Sequence, residues 1–211
     1  SLRFDMNTGL CPELTPIWFD QEAAKSALPG VERAMKQLPD KIKAGGIVYL
    51  ATLAMTAGED PAQYLKQLSE NSTVQELTKI LGVQREVQRG KIGEATTELR
   101  KVSSKIQTVN QPLAYYWLGL AGLKSSEVRR KKQAILRLLS LAAVYEKTDS
   151  ELAGASIYHS YRALSDLPDS SSYAVGIGKL RTELLVRHPQ SHFARRLKKE
   201  LDSGSREPSD K

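Results

Sequence analysis

With 211 residues the chain has room for one domain or one compact array with a sizeable core, and a second full domain would be cramped. Forty per cent of its residues are hydrophobic yet only three are Phe, the balance of an Ala- and Leu-rich helical protein whose helices interlock through small side chains. A formal net charge of +7 favours acidic partners by long-range attraction, and the absence of any run of about 18 apolar residues excludes a membrane-crossing helix.

Residues 1–30 read as an irregular N-terminal capping segment, because Pro12, Pro16 and Pro29 interrupt any long helix. Ile17, Trp18 and Phe19 are apolar enough to cover the end of an array whose first repeat would otherwise expose its core face. The one cysteine, Cys11, lies in this segment and has no internal disulfide partner, which suits the cytosol and a disulfide-free envelope protein alike. Ser1 is not followed by a charged-then-apolar leader, so any signal peptide is expected to have been removed or never to have existed.

Helical pattern runs from about Val31 to Leu38 and from about Ile42 to Ala57, where Leu50, Leu53, Ala54 and Ala57 recur at helix-face spacing. Gly58 ends the second run, and Asp60-Pro61 supplies a cap and a first-turn proline for a short helix to about Leu68. Ser72-Thr73-Val74-Gln75 reads as a capping box that starts a helix to about Gln88. Gly90 breaks that helix, and a partner runs to about Ile106 with Ala95, Leu99 and Val102 as its inner stripe. Asn110 and Pro112 open the next helix, and its run Leu113 to Leu123 is apolar nearly all round, so it is expected to be the most buried.

After a basic link, Ala134, Ile135, Leu138, Leu139, Ala142 and Tyr145 form a wide apolar stripe. Thr148-Asp149-Ser150-Glu151 reads as a second capping box, and Ala153, Ile157, Tyr161 and Leu164 continue the stripe in the helix that follows. The last helices are expected from about Ser171 to Arg187 and from Ser191 to Asp202. No segment alternates apolar and polar residues over a strand length, so the fold class is all-α. The tail 203–211 is polar, lacks an apolar anchor and is expected to be disordered.

The chemistry of catalysis is missing from this pattern. His188 and His192 are four apart but Pro189 falls between them, and no acidic third ligand lies nearby, so no metal site is expected. No Gly-x-Ser-x-Gly elbow activates a serine, and Gly45-Gly46 lacks the further glycines and the Lys-Ser/Thr of a phosphate loop. That glycine pair reads as a hinge or a close-packing site. The reading is therefore non-enzymatic, with no cofactor and no catalytic residue. Positive charge gathers in residues 124–132 and 195–199 and could meet nucleic acid phosphates or another anionic surface. Arg129 to Lys132, however, spread around a helix start at about 100° steps with no aromatic residues interleaved, as a solvated helix start would.

Two runs carry a resemblance to a known family: Arg89-Gly90-Lys91-Ile92-Gly93-Glu94-Ala95-Thr96-Thr97-Glu98-Leu99, and Ala114 to Leu123 with its Leu118-Gly119 pair. They resemble the two helices of tetratricopeptide-type repeats, in which a Gly opens the second helix, an Ala five residues on lets the helices approach and a larger apolar residue follows four later. Gly90, Ala95 and Leu99 keep that spacing, whereas Gly58 to Ala62 is one residue short of it and Ser125 to Gln133 is an insertion. The ending Leu184-Leu185-Val186-Arg187-His188-Pro189-Gln190-Ser191 resembles the helix-terminal Pro-x-Ser of bacterial envelope repeat proteins. The resemblance implies a right-handed α-solenoid of three to four stacked helical hairpins over residues 31–202, from a bacterial source, with an exported or periplasmic location and the cytoplasm as alternatives. It also implies a concave face that binds a peptide or protein surface. Tyr116, Tyr158, His159 and Arg162 are the expected partner contacts, although core packing is the competing use of Tyr115, Tyr116 and Trp117 on so apolar a helix. A helical bundle enclosing a small apolar ligand is the third alternative.

Overall fold

The structure, a computed structural model, describes residues 21–68, 75–103, 111–147 and 149–204, with some helix side chains among them left undescribed. All regular structure among these residues is helical: α1 (Gln21–Met35), α2 (Asp40–Ala57), α3 (Ala62–Leu68), α4 (Gln75–Gln88), α5 (Ile92–Ser103), α6 (Gln111–Leu123), α7 (Val128–Tyr145), α8 (Ser150–Ser165), a 3-10 turn (Ser170–Tyr173), α9 (Ala174–Arg187) and α10 (His192–Gly204). The chain groups into two compact units that meet between Ala121 and Gly122, inside α6. The expected single array over residues 31–202 spans both.

In the first unit, α1 begins ten residues before the expected helix start, so the expected irregular segment gives way to helix from Gln21. Pro29 sits inside α1 without ending it, and the reason is its placement on the solvent side. There the carbonyl that loses its partner can turn to water, while Ala24, Leu28, Val31 and Met35 bury the opposite stripe against α2. α2 is buried without a break from Val48 to Met55. It ends where Gly58 takes φ 84°, a left-handed conformation that glycine adopts without a side-chain clash, and the Gly58 and Glu59 amides return to Met55 and Ala54. Asp60 then caps α3 through the Ala62 amide at 3.0 Å and also takes Arg85 on both oxygens and Arg89 on one. That fastens the start of α3 to α4. The Tyr64 hydroxyl donates to Glu32 at 2.6 Å and fastens α3 to α1.

α4 and α5 pair around Gly90, which adopts φ 87° in the turn instead of opening the second helix as in the repeat family. The side chains of Ala95, Leu99 and Val102, the expected inner stripe of α5, lie outside those described, as do Ser72 to Val74 of the first capping box and the expected helix end at Ile106. In α6, Tyr116, Trp117, Leu118, Gly119 and Ala121 are buried. α2 and α8 nevertheless carry longer unbroken buried runs, so α6 is not the most buried helix among the described residues. Gly46 is a close-packing site within the continuous α2, with Met35 and Leu38 where a side chain would be.

The second unit is organised around α8, which packs against α7, α9 and α10 and is buried without a break from Leu152 to Tyr158. That three-sided burial is why its sequence is Ala-, Gly- and Ser-rich. α7 contributes Ala134, Ile135, Leu138, Leu141 and Ala142, close to the expected stripe, with Leu139 and Tyr145 partly exposed. Ala134 also receives Gly122, where an added Cβ would stand 2.7 Å from the Ala134 Cβ. The helix over 171–187 divides into the 3-10 turn and α9, and α10 extends to Gly204, so residues 203 and 204 of the expected tail are helical.

Candidate functional site

The second capping box is built differently from its sequence pattern. The N-cap of α8 is Asp149, whose carboxylate accepts the Leu152 amide at 2.9 Å, and this frees Glu151 for another helix. Glu151 accepts the His192 amide at 3.0 and 3.3 Å, one of the unpaired donors that open α10. Burial pushes the Glu151 carboxyl up, while that amide and the nearby Arg195 pull it the other way. Ser191 caps the same helix by accepting the Ala194 amide at 3.1 Å. Gly154 on α8 leaves room for it, since a Cβ there would stand 2.8 Å from Ser191 Oγ and 2.9 Å from Ser191 Cβ.

Beside this clasp, Ser150 Oγ and His188 Nδ1 are 3.0 Å apart, and His188 is 2 % exposed at the end of α9. It is the C-cap residue of that helix. Burial holds the imidazole pKa below its usual range, and Nε2 has no hydrogen-bond partner among the described residues. The pair joins the start of α8 to the end of α9. Among the described residues no group of three His, Cys, Asp or Glu side chains could hold a metal ion.

α8 and α10 run parallel from this clasp, since Gly154 faces Ser191 and Arg162 faces Glu200. Their middle turns build the second constellation, around Glu200. Tyr158 donates its hydroxyl to Glu200 Oε1 at 2.6 Å, and Arg196 donates to the same oxygen at 3.1 Å. Arg162 Nη1 stands 3.6 Å from Oε2, too far for a hydrogen bond, so its guanidinium keeps donors for another acceptor. The Arg196 guanidinium lies 5.2 Å from the centre of the Tyr158 ring, and Phe193 is stacked at a tilt against that ring at 4.9 Å. His159 meets Phe193 edge-on at 5.2 Å and Tyr158 at 5.5 Å. Desolvation, helped by the Arg196 charge, lowers the His159 pKa to about 4. Desolvation and the Glu200 bond push the Tyr158 phenol up to about 12.

Three of the four expected contact residues, Tyr158, His159 and Arg162, are thus brought together, while Tyr116 belongs to the first unit. Tyr116 and Tyr158 are buried at 2 % and 4 % exposure, and Arg162 is the one of the four that presents most of its side chain to solvent. Sequence reasoning missed Glu200, the residue that organises the cluster. Its only local signal is the Arg196-Glu200 spacing of four on one helix face. The chemistry on offer is recognition: a planar cation beside an aromatic shelf, with the tyrosine and the glutamate already committed to each other.

Grooves of about 610 Å³ over α9, lined by Val175, Gly178, Thr182 and Val186, and of about 340 Å³ over α4 and α5, are open to solvent. Compared with known proteins, the chain significantly matches no family model, no curated protein and no solved structure.

Proposed function

We propose that the chain is a non-enzymatic protein-interaction module, a tetratricopeptide-like stack of helical hairpins that binds a peptide or protein surface. The observation that carries this reading is the place of α8. It forms a hairpin with α7 and receives α9 and α10 along its small residues, as the inner helix of a stacked repeat would. Stacked hairpins of this kind spread contacts over a long face, which suits a polypeptide better than a small substrate. Arg162, with the Tyr158-Glu200-Arg196 cluster beneath it, is the proposed centre of contact, and His159 sits at its edge.

The test compares intact protein with the Arg162→Ala and Arg196→Ala variants in affinity capture, after circular dichroism shows all three equally helical. A polypeptide retained by the intact protein and lost from both variants supports the reading. Equal capture by all three, or nucleic acid in place of protein, sinks it.

A further inference from the structure

We infer that the partner of the second unit is an acidic polypeptide segment, docking at the end of that unit that receives the start of α7, the last turn of α8 and Lys199 of α10. The inference rests on the interaction reading above and names the partner's chemistry. Charge is the first observation. Residues 122–211 hold 17 Lys and Arg against 11 Asp and Glu, while residues 1–121 hold 14 against 13, so nearly all of the net +7 belongs to the second unit.

Topology is the second observation. α7 and α8 are joined by the short turn 146–149 and run antiparallel, which puts the first turn of α7 beside the last turn of α8. The 2.7 Å ion pair between Lys132 and Asp169, just beyond α8, fixes that end. α10 runs parallel to α8, so Arg195 of its basic stretch stays near Glu151 at the other end, Arg196 lies beside Tyr158, and Lys199 and Glu200 come toward this end, where Glu200 meets Arg162. Cations more than sixty positions apart in sequence therefore lie toward one end of the unit, on helices that both pack against α8.

The cations there are more than stability requires. α7 has no acidic residue in its first turn and opens on Arg129, Arg130, Lys131 and Lys132, the charge sign that a helix N-terminus disfavours. Lys132 is held by Asp169 and lies over the Tyr173 ring, and Arg130 is held by Glu127 at 3.0 Å. Arg129, Lys131 and Lys199 have no ion pair among the described residues, and Arg162 shares Glu200 with Arg196. What remains is a set of cations, exposed at Arg129, Arg162 and Lys199 and half-buried at Lys131, around a few fixed carboxylates.

That mosaic favours a polypeptide over a nucleic acid. Evenly spaced phosphates would run past Asp169 and Glu200, whereas a peptide can place individual carboxylates against individual cations. Two aromatic rings beside these cations are also engaged, Tyr158 buried under Arg196 and Tyr173 under Lys132, which leaves those two unavailable for stacking on bases.

Fluorescence anisotropy on the full chain tests the inference with three labelled probes: a glutamate-rich peptide, the same peptide with Gln for Glu, and a single-stranded oligodeoxynucleotide. Two variants reverse charge at the site, Arg129→Glu with Lys131→Glu and Arg162→Glu with Lys199→Glu. A third, Lys147→Glu with Arg187→Glu, makes the same charge change at the opposite end of the unit, where Arg187 meets Glu146. The expected result is binding of the glutamate-rich peptide alone, weakened roughly tenfold by either site variant, unchanged by the opposite-end variant and reduced by salt. Equal weakening by the opposite-end variant would show net charge acting without a site and overturn the inference. So would tighter binding of the oligonucleotide through the same residues. Failure of the glutamate-rich peptide to bind ends the acidic partner but leaves the interaction module standing, because that reading depends on the separate Arg162→Ala and Arg196→Ala capture.

Discussion

Two kinds of buried polar residue on α8 make opposite demands on stability. Ser156 and Ser160 are fully buried and their hydroxyls have no partner among the described residues, so each carries a desolvation cost without a compensating bond. Replacing both by Ala keeps the small volume that α8 needs and is expected to stabilise the protein by roughly 1 kcal/mol per hydroxyl, read as a higher urea midpoint. A lower midpoint would mean that the hydroxyls are bonded after all. His159 works through protonation. Its folded pKa of about 4 lies below the ordinary 6.5, so between these values the unfolded chain binds the extra proton. Its contribution is complete above pH 6.5 and is lost as pH falls toward 4. His159→Phe keeps a ring between Tyr158 and Phe193 and removes the titration. The stability difference between pH 7 and pH 4.5 is expected to shrink in this variant by on the order of 2 kcal/mol. An equal acid sensitivity in both proteins would assign it to carboxylates elsewhere.

At the scale of helices, the α8–α10 junction depends on one missing methyl group. Gly154→Ala would drive a Cβ into Ser191, whose own Cβ is fixed by the backbone and whose hydroxyl caps α10. The overpacking and the disturbed cap outweigh the better helix propensity of Ala, so a loss of about 1–2 kcal/mol is expected in chemical denaturation. Ser191→Gly in the same background clears the space while keeping an acceptable N-cap residue, and should recover part of the loss. No recovery would place the strain elsewhere. Gly46→Ala is the contrast: the atoms in its way are the ends of the Met35 and Leu38 side chains, which can turn aside at small cost. This junction also marks the limit of what the sequence discloses. The apolar stripes of α2, α7 and α8 and the breaks at Gly58, Gly90 and Pro189 were legible because spacing, glycine and proline act locally. Pro29 misled because its exposed placement is a tertiary fact, and Glu151 misled because its spacing from Thr148 suits a capping box while its carboxylate serves α10. In the candidate site, Arg162 and its neighbours could be named from the helix pattern. Glu200 could not, because its partners Tyr158 and Arg162 lie about forty positions away and meet it only when α10 lies along α8.

At the scale of the whole molecule, each unit has a core of its own: one between α1 and α2 with α3 and α4, the other around α8. They also differ in charge, and the cationic unit is the one that carries the proposed contact surface. Of the two tryptophans in the sequence, Trp117 lies in the first unit at 5 % exposure. In a Trp18→Phe background tryptophan emission therefore reports from α6 on the first unit's side of the boundary, whereas helical circular dichroism reports on both units. Gly154→Ala weakens only the second. If each core supplies its own cooperativity, this variant should leave the emission midpoint in urea unchanged while the dichroism transition begins at lower urea and broadens. A parallel shift of both signals would show that α6, which crosses the boundary, couples the units into one cooperative block. Binding at the basic end would then stabilise the first unit as well, because a ligand that selects the folded second unit would raise the emission midpoint through the same coupling.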